Sequence, residues 1–165
     1  MSISHEDQLH GAVISRLITS ISSYSESISV NLELGKSSSM YTLNIFENQT
    51  RKNLKIGVYV KISKKRLSPW RYTFDQNNQE DIMDLALSTD ELFIIFVAGL
   101  DGFAALSYNE LKKILDDNFD DSEWVSVSRK IRQSYRVDGK DSSKKIVLPK
   151  NVFPAKVLDY LKKSL

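Results

Sequence analysis

GVYVKISKKRLSPWRYTF, residues Gly57–Phe74, places Lys61, Lys64, Lys65, Arg66 and Arg71 among four aromatic rings with no acid between them. Its first half belongs to a longer alternating run, Lys55–Ser63. There Ile56, Val58, Val60 and Ile62 stand opposite Gly57, Tyr59, Lys61 and Ser63, the period of a half-buried strand. Its second half restarts after Pro69, which biases Ser68 toward an extended backbone. Trp70, Tyr72 and Phe74 then alternate with Arg71 and Thr73, and three large rings in phase are expected to pack inward. Between the two extended pieces lies Lys64-Lys65-Arg66, where the chain changes direction and long cationic side chains project.

Working outward, Asp7–Ser22 sets Leu9, Ala12, Val13, Leu17, Ile18 and Ile21 on one side of a helix. Ser27–Leu34 and Met40–Phe46 alternate like the central run, so the three strands predict an antiparallel meander, with a turn at Gly35–Ser39. Beyond Phe74, Glu80–Leu87 reads as a short amphipathic helix exposing Glu80, Asp81 and Asp84. Leu92–Gly99 is apolar on both faces, as in a central strand covered from two sides. Gly99–Gly102 reads as a turn and Phe103–Leu106 as a short strand. Ser107 with Glu110 forms a capping box opening a helix through Leu115. Asp116–Glu123 reads as an acidic loop and Glu123–Arg132 as a late strand, and Asp138-Gly139 with the polar run after it leads to Ile146–Pro149. Pro154 suits the first turn of a last helix that buries Val157, Leu158 and Leu161. The expected fold class is α/β: a mixed central sheet with an N-terminal helix, a three-strand meander and flanking helices.

The 165 residues suit a single domain, 1–165. With no cysteine there is neither disulfide nor thiolate chemistry. The N-terminus lacks a signal-peptide pattern and the longest apolar run, Leu92–Ala98, is too short to span a bilayer. A cytoplasmic protein without membrane contact is expected. The net charge of +2 hides a strong asymmetry. Residues 51–74 hold eight bases and no acid, residues 75–123 two bases against thirteen acids, and residues 124–165 eleven bases against three acids. Two basic segments flank an acidic one. If folding brings the basic segments together, they form a face that attracts phosphate backbones; if not, each is a solvated edge.

The order helix, three-strand meander, helix, buried strand, helix over roughly residues 5–117 resembles the core of PD-(D/E)XK nucleases and Holliday-junction resolvase relatives. The resemblance implies a Mg²⁺ site in which the second strand supplies an aspartate and the third an acid two positions before a lysine. Here Lys61 matches the lysine, Tyr59 stands where the acid belongs, and Asn44 stands for the aspartate. Glu6 matches an additional acid of some members. Mg²⁺ requires anionic oxygens, which Asn44 and Tyr59 do not supply. The resemblance therefore implies a degenerate site marked by Glu33, Asn44 and Lys61, without metal or other cofactor. Only with Glu33 or Glu6 as a relocated acid does it become an active Mg²⁺-dependent nuclease. The plainer reading makes Asn31, Glu33, Asn44, Tyr59 and Lys61 the solvated face of an ordinary sheet.

Other chemistry finds little purchase. His5 and His10 lack the i, i+4 spacing of paired ligands on a helix. No G-x-S-x-G elbow or Walker A loop occurs. Asp116, Asp117, Asp120 and Asp121 do not follow an EF-hand spacing. The expected function is a nucleic-acid-binding domain that contacts phosphates without cleaving them, DNA ahead of RNA. Its contacts are Lys61, Lys64, Lys65, Arg66 and Arg71, joined by Arg129, Lys130, Arg132 and Arg136. The alternatives are the active nuclease and a protein-interaction or assembly module, homo-oligomeric or with a protein partner, in which an acidic middle pairs with basic flanks.

Overall fold

The computed structural model describes residues 2–116, 122–140 and 145–165. Helix α1 (His5–Tyr24) opens with a capping box: the Ser4 hydroxyl accepts from the Asp7 amide, and the Asp7 carboxylate accepts from the Ser4 amide. Such a cap contributes about 1 kcal/mol. Leu9, Val13, Leu17 and Ile21 form its buried stripe. The chain then meanders through β1 (Ile28–Leu34), β2 (Met40–Glu47) and β3 (Asn53–Ser63), each antiparallel to the last. After β4 (Trp70–Phe74) and α2 (Gln76–Ser88), β5 (Glu91–Ala98) returns alongside β3 in parallel, and β6 (Gly102–Ser107) folds back on β5. The result is a mixed sheet in the order β1-β2-β3-β5-β6.

The remaining strands build a second sheet. β4 pairs with β7 (Glu123–Ser128), β7 with β8 (Tyr135–Gly139) and β8 with β9 (Ile146–Leu148), all antiparallel. The short helix α3 (Tyr108–Lys112) follows β6, and the helix α4 (Val152–Ser164) follows β9 as the last element. α1 and α4 cover one face of the five-stranded sheet, where His10 meets Tyr41 and Tyr160 meets Phe93. The other face is covered by α2 and the second sheet. Leu85 of α2 lies over Gly57, and Tyr72 and Phe74 of β4 pack edge-on against Phe96 of β5. Trp70, Tyr72 and Phe74 are all buried, as their phase predicts, and one hydrophobic core runs through both sheets.

Several local expectations are corrected. β3 is not half-buried: Gly57 and Tyr59 are as enclosed as the aliphatic residues beside them, because α2 and β4 cover the side that reads as polar. α2 begins at Gln76, four residues ahead of the expected start, behind an Asp75 N-cap whose carboxylate accepts from the Asn78 amide in a second capping box. Glu123 is the buried first residue of β7 and not part of a loop. β7 ends at Ser128, so Arg129–Arg132 leave the strand and form a turn. Asp138 and Gly139 end β8, and a Cβ on Gly139 would sit 2.0 Å from the Cγ2 of Ile114, so the glycine serves close packing. Asp117, Asp120 and Asp121 lie outside the described residues. Among the described residues no helix is long and apolar enough to cross a membrane.

Candidate nucleic-acid interface

Tyr59 and Lys61 point toward α2 and β4. The Lys61 ammonium donates to the Thr73 carbonyl at 2.6 Å and to the Asn78 side-chain oxygen at 3.3 Å, and sits 4.8 Å from the centre of the Phe74 ring. Burial pushes its pKa down, and the negative charge of Asp75 offsets part of that. Tyr59 is 1% exposed, and burial pushes its hydroxyl up to about 12, with Asp81 adding to the rise. The acids whose charge reaches these two groups are Asp75, the N-cap of α2, and Asp81 within α2; the sequence marks Asp81 only as an exposed helix residue and does not mark Asp75. The only sequence signal was the D-x-x-N spacing of Asp75 and Asn78, a helix-start pattern.

Strand register separates the three residues of the degenerate site. Met40, not Asn44, faces Tyr59. Asn44 faces Lys55, six positions and thus about 20 Å along β3 from Lys61. Glu33 faces Thr42 on β2, which in turn faces Gly57, so Glu33 lies two strands away from β3 at an exposed position. Glu6 sits 3.6 Å from the Lys64 ammonium, where β3 ends. With Met40 and Tyr59 in place of carboxylates, this donor set does not fit Mg²⁺. Among the described residues no three histidine or acidic side chains gather to hold a metal ion. His10 is occupied instead with the Tyr41 hydroxyl, 2.9 Å away.

The basic segments do meet. β4 pairs with β7 so that Arg71 faces Ser126, and β7 pairs with β8 so that Ser128 faces Arg136. At the end of this sheet the loop before β4 touches the turn after β7, where the Ser68 hydroxyl accepts from the Arg129 amide at 3.0 Å. Two neighbouring clefts open there. One, of about 290 Å³, is lined by Ser68, Ser128, Lys130, Gln133, Arg136 and Lys145. The other, of about 370 Å³, is lined by Arg66, Leu67, Trp70, Asp101, Lys130 and Ile131. Arg129 borders both.

The cations there are not equivalent. Arg129 holds Asp101 with two parallel bonds, Nε to Oδ2 at 2.9 Å and Nη2 to Oδ1 at 2.6 Å, and lies 5.2 Å from the centre of the Tyr135 ring. Tyr135 donates its hydroxyl to the same carboxylate at 3.0 Å. The Arg129 guanidinium holds the Asp101 carboxyl below its ordinary range, against the opposing effect of burial. This arginine is a tie between loops. Lys64 is paired with Glu6, Lys65 donates to the Pro69 carbonyl at 3.0 Å, and Arg71 stacks 4.2 Å over Trp124. Among the described residues no ion pair engages Arg66, Lys130, Arg132 or Arg136, and all four are exposed. Lys145, 3.9 Å from Asp138, joins the cleft from β9's start and was missed because the polar run before it gives no sign of where it lands.

A third cavity of about 230 Å³ lies between α2 and α3, lined by Ile82, Met83, Leu111 and Leu115 together with Gln79, Tyr108, Lys112 and Asp116. It offers no comparable set of cations. In comparison with known proteins, the chain matches no family model, no curated protein and no solved structure.

Proposed function

We propose that this protein binds nucleic acid, DNA ahead of RNA, along the clefts at the Ser68–Arg129 junction, and contacts phosphates without cutting them. One observation carries the reading: basic segments about sixty residues apart in the chain lie side by side, joined by the Ser68–Arg129 hydrogen bond. Arg66, Lys130, Arg132 and Arg136 are the phosphate contacts, since each is exposed and has no acidic partner among the described residues. Ser68, Ser128 and Gln133 add neutral hydrogen-bonding groups between them. The element order and the parallel β3–β5 pair are in keeping with a degenerate PD-(D/E)XK-like core. Absence of cleavage follows from the donor set around Lys61, whose amine is directed at a backbone carbonyl and an amide.

Four neutralised phosphates imply that raising salt from about 50 to 200 mM weakens duplex binding by about two decades. Replacing Arg66, Lys130 and Arg136 together by alanine leaves about one contact, and the same salt step then costs about half a decade. Absence of binding to duplex or single-stranded DNA or RNA at low salt ends the proposal. Metal-dependent plasmid cleavage that disappears in Lys61→Ala restores the nuclease alternative.

A further inference from the structure

The same end of the molecule presents aliphatic side chains to solvent. Leu67, Leu100 and Ile131 are 71%, 89% and 89% exposed, and each sits on a different loop. An isolated exposed leucine carries no meaning. These three loops, however, are tied to one another. The Gly99 amide donates to the Ser63 carbonyl, Trp70 Nε1 donates to the Lys65 carbonyl, Arg129 bonds Ser68 and holds Asp101. Gly99 itself has φ 54°, and a Cβ there would meet the Lys65 carbonyl oxygen at 2.6 Å, so the two loops are in direct backbone contact. Leu67 and Ile131 line one cleft.

Ile131 occupies a particular position. The Gln133 amide donates to the Lys130 carbonyl at 3.0 Å, closing a four-residue turn, and Arg132 at its third position has φ 63°. That is the pattern of a type II turn, which normally carries glycine or asparagine at that position. An arginine in the left-handed region is strained, and such strain is retained where surrounding structure enforces it. The turn thus holds an exposed aliphatic side chain between Lys130 and Arg132, while Leu67 follows Arg66. Cation, aliphatic, cation is the order needed to meet phosphate, base step, phosphate.

Resting on the nucleic-acid reading above, we infer that Ile131 and Leu67 form an apolar wedge that enters between base pairs of a duplex while Arg66, Lys130 and Arg132 hold the flanking phosphates. Aliphatic side chains inserted this way unstack a base step and kink the duplex by about 20–90°. The ties between the loops present the wedge without a further ordering cost at binding. Steps that open readily, pyrimidine followed by purine, are the preferred substrates.

The test uses the full chain and a duplex with 2-aminopurine at a central TA step. Wild-type protein is expected to raise the 2-aminopurine fluorescence. Leu67→Ser with Ile131→Ser is expected to lose that rise while keeping the salt dependence of binding, and Ile131→Met is expected to retain it. Both serine positions are exposed, and an unchanged urea midpoint confirms that the variant is folded. Binding by wild type with no fluorescence change overturns the wedge and leaves the phosphate-binding reading standing. No binding to nucleic acid overturns both. Sedimentation with phosphatidylserine vesicles, lost in the same double variant while the duplex signal is absent, assigns the surface to an anionic membrane and also overturns the wedge.

Discussion

Two lysine-bearing regions from one stretch of chain end in opposite environments. Lys61 turns inward, its ammonium donating to Thr73 and Asn78 above the Phe74 ring. Five residues on, Arg66 lines an open cleft with no acidic partner among the described residues. In the first region the Lys61 ammonium finds its acceptors within the fold; in the second, Arg66, Lys130 and Arg132 have no ion-pair partner among the described residues and are left for solvent or a ligand. A basic residue next to a strand is therefore a stability element or a binding element according to whether its donors are already satisfied.

The comparison breaks most directly at Lys61. Lys61→Ala is expected to lower unfolding free energy by about 1–2 kcal/mol, through two lost hydrogen bonds and lost packing of its alkyl stem. Duplex affinity is expected to stay as in wild type. Urea denaturation and a binding titration on the same preparation check both, and a large affinity loss with unchanged stability would reverse the roles of the two regions. A pH signature accompanies it. Because burial lowers the folded-state pKa of this lysine, the unfolded chain holds the proton more tightly. Wild-type stability relative to Lys61→Ala should then rise with pH between that lowered value and the ordinary lysine value of 10.5.

A smaller effect sharpens the second region. Asp101→Asn removes the carboxylate that occupies Arg129 and is expected to cost about 1 kcal/mol, since both side chains are partly exposed. It also frees a cation beside the clefts, so the salt slope of duplex binding should steepen by about 0.9. Stability and affinity move in opposite directions. The Asp101 pKa is depressed in the folded state, so its contribution is fully present above the unfolded value of 3.8 and is lost as pH falls through the folded value. Acid titration of wild type against Asp101→Asn reads that window.

The smallest effect is a control outside both regions. Lys36 and Asp84 form a 2.7 Å ion pair with 66% and 49% of their side chains exposed. Lys36→Ala is expected to change stability by less than about 0.5 kcal/mol and binding not at all. A larger shift in either would show that charge is acting across the molecule and not at the clefts.

Much of the five-stranded sheet was legible locally. The stripe of α1, the alternation of β1 and β2 and the two-sided apolarity of β5 each state their environment in a short window. β3 was misread because Gly57, Tyr59 and Lys61 look like a polar face. Gly57 is a glycine because Leu85 and Leu92 come within about 3 Å of where a Cβ would stand, a fact written in α2 and β5 and not in β3. The second sheet was illegible for a related reason: β4 finds β7 across roughly fifty residues, and no local pattern encodes that pairing. At the candidate interface Arg66, Arg129, Lys130 and Arg136 were legible as members of basic runs, whereas Lys145 was not. Nor was the division of the cations. Arg129 is tied because Asp101 arrives from the β5–β6 turn, and Lys61 is enclosed because β4 folds over it.

The parallel pairing of β3 with β5 forces the intervening chain to cross from one end of the strands to the other, and β4 lies inside that crossing. The two sheets are consequently stitched together, the smaller one borrowing its first strand from the loop that closes the larger. Cutting the chain after β6 would leave β4, which covers Lys61, without its neighbour β7 and would remove Arg129, Lys130, Arg132 and Arg136, so the cationic end is inherited by the whole architecture and not carried by a detachable module.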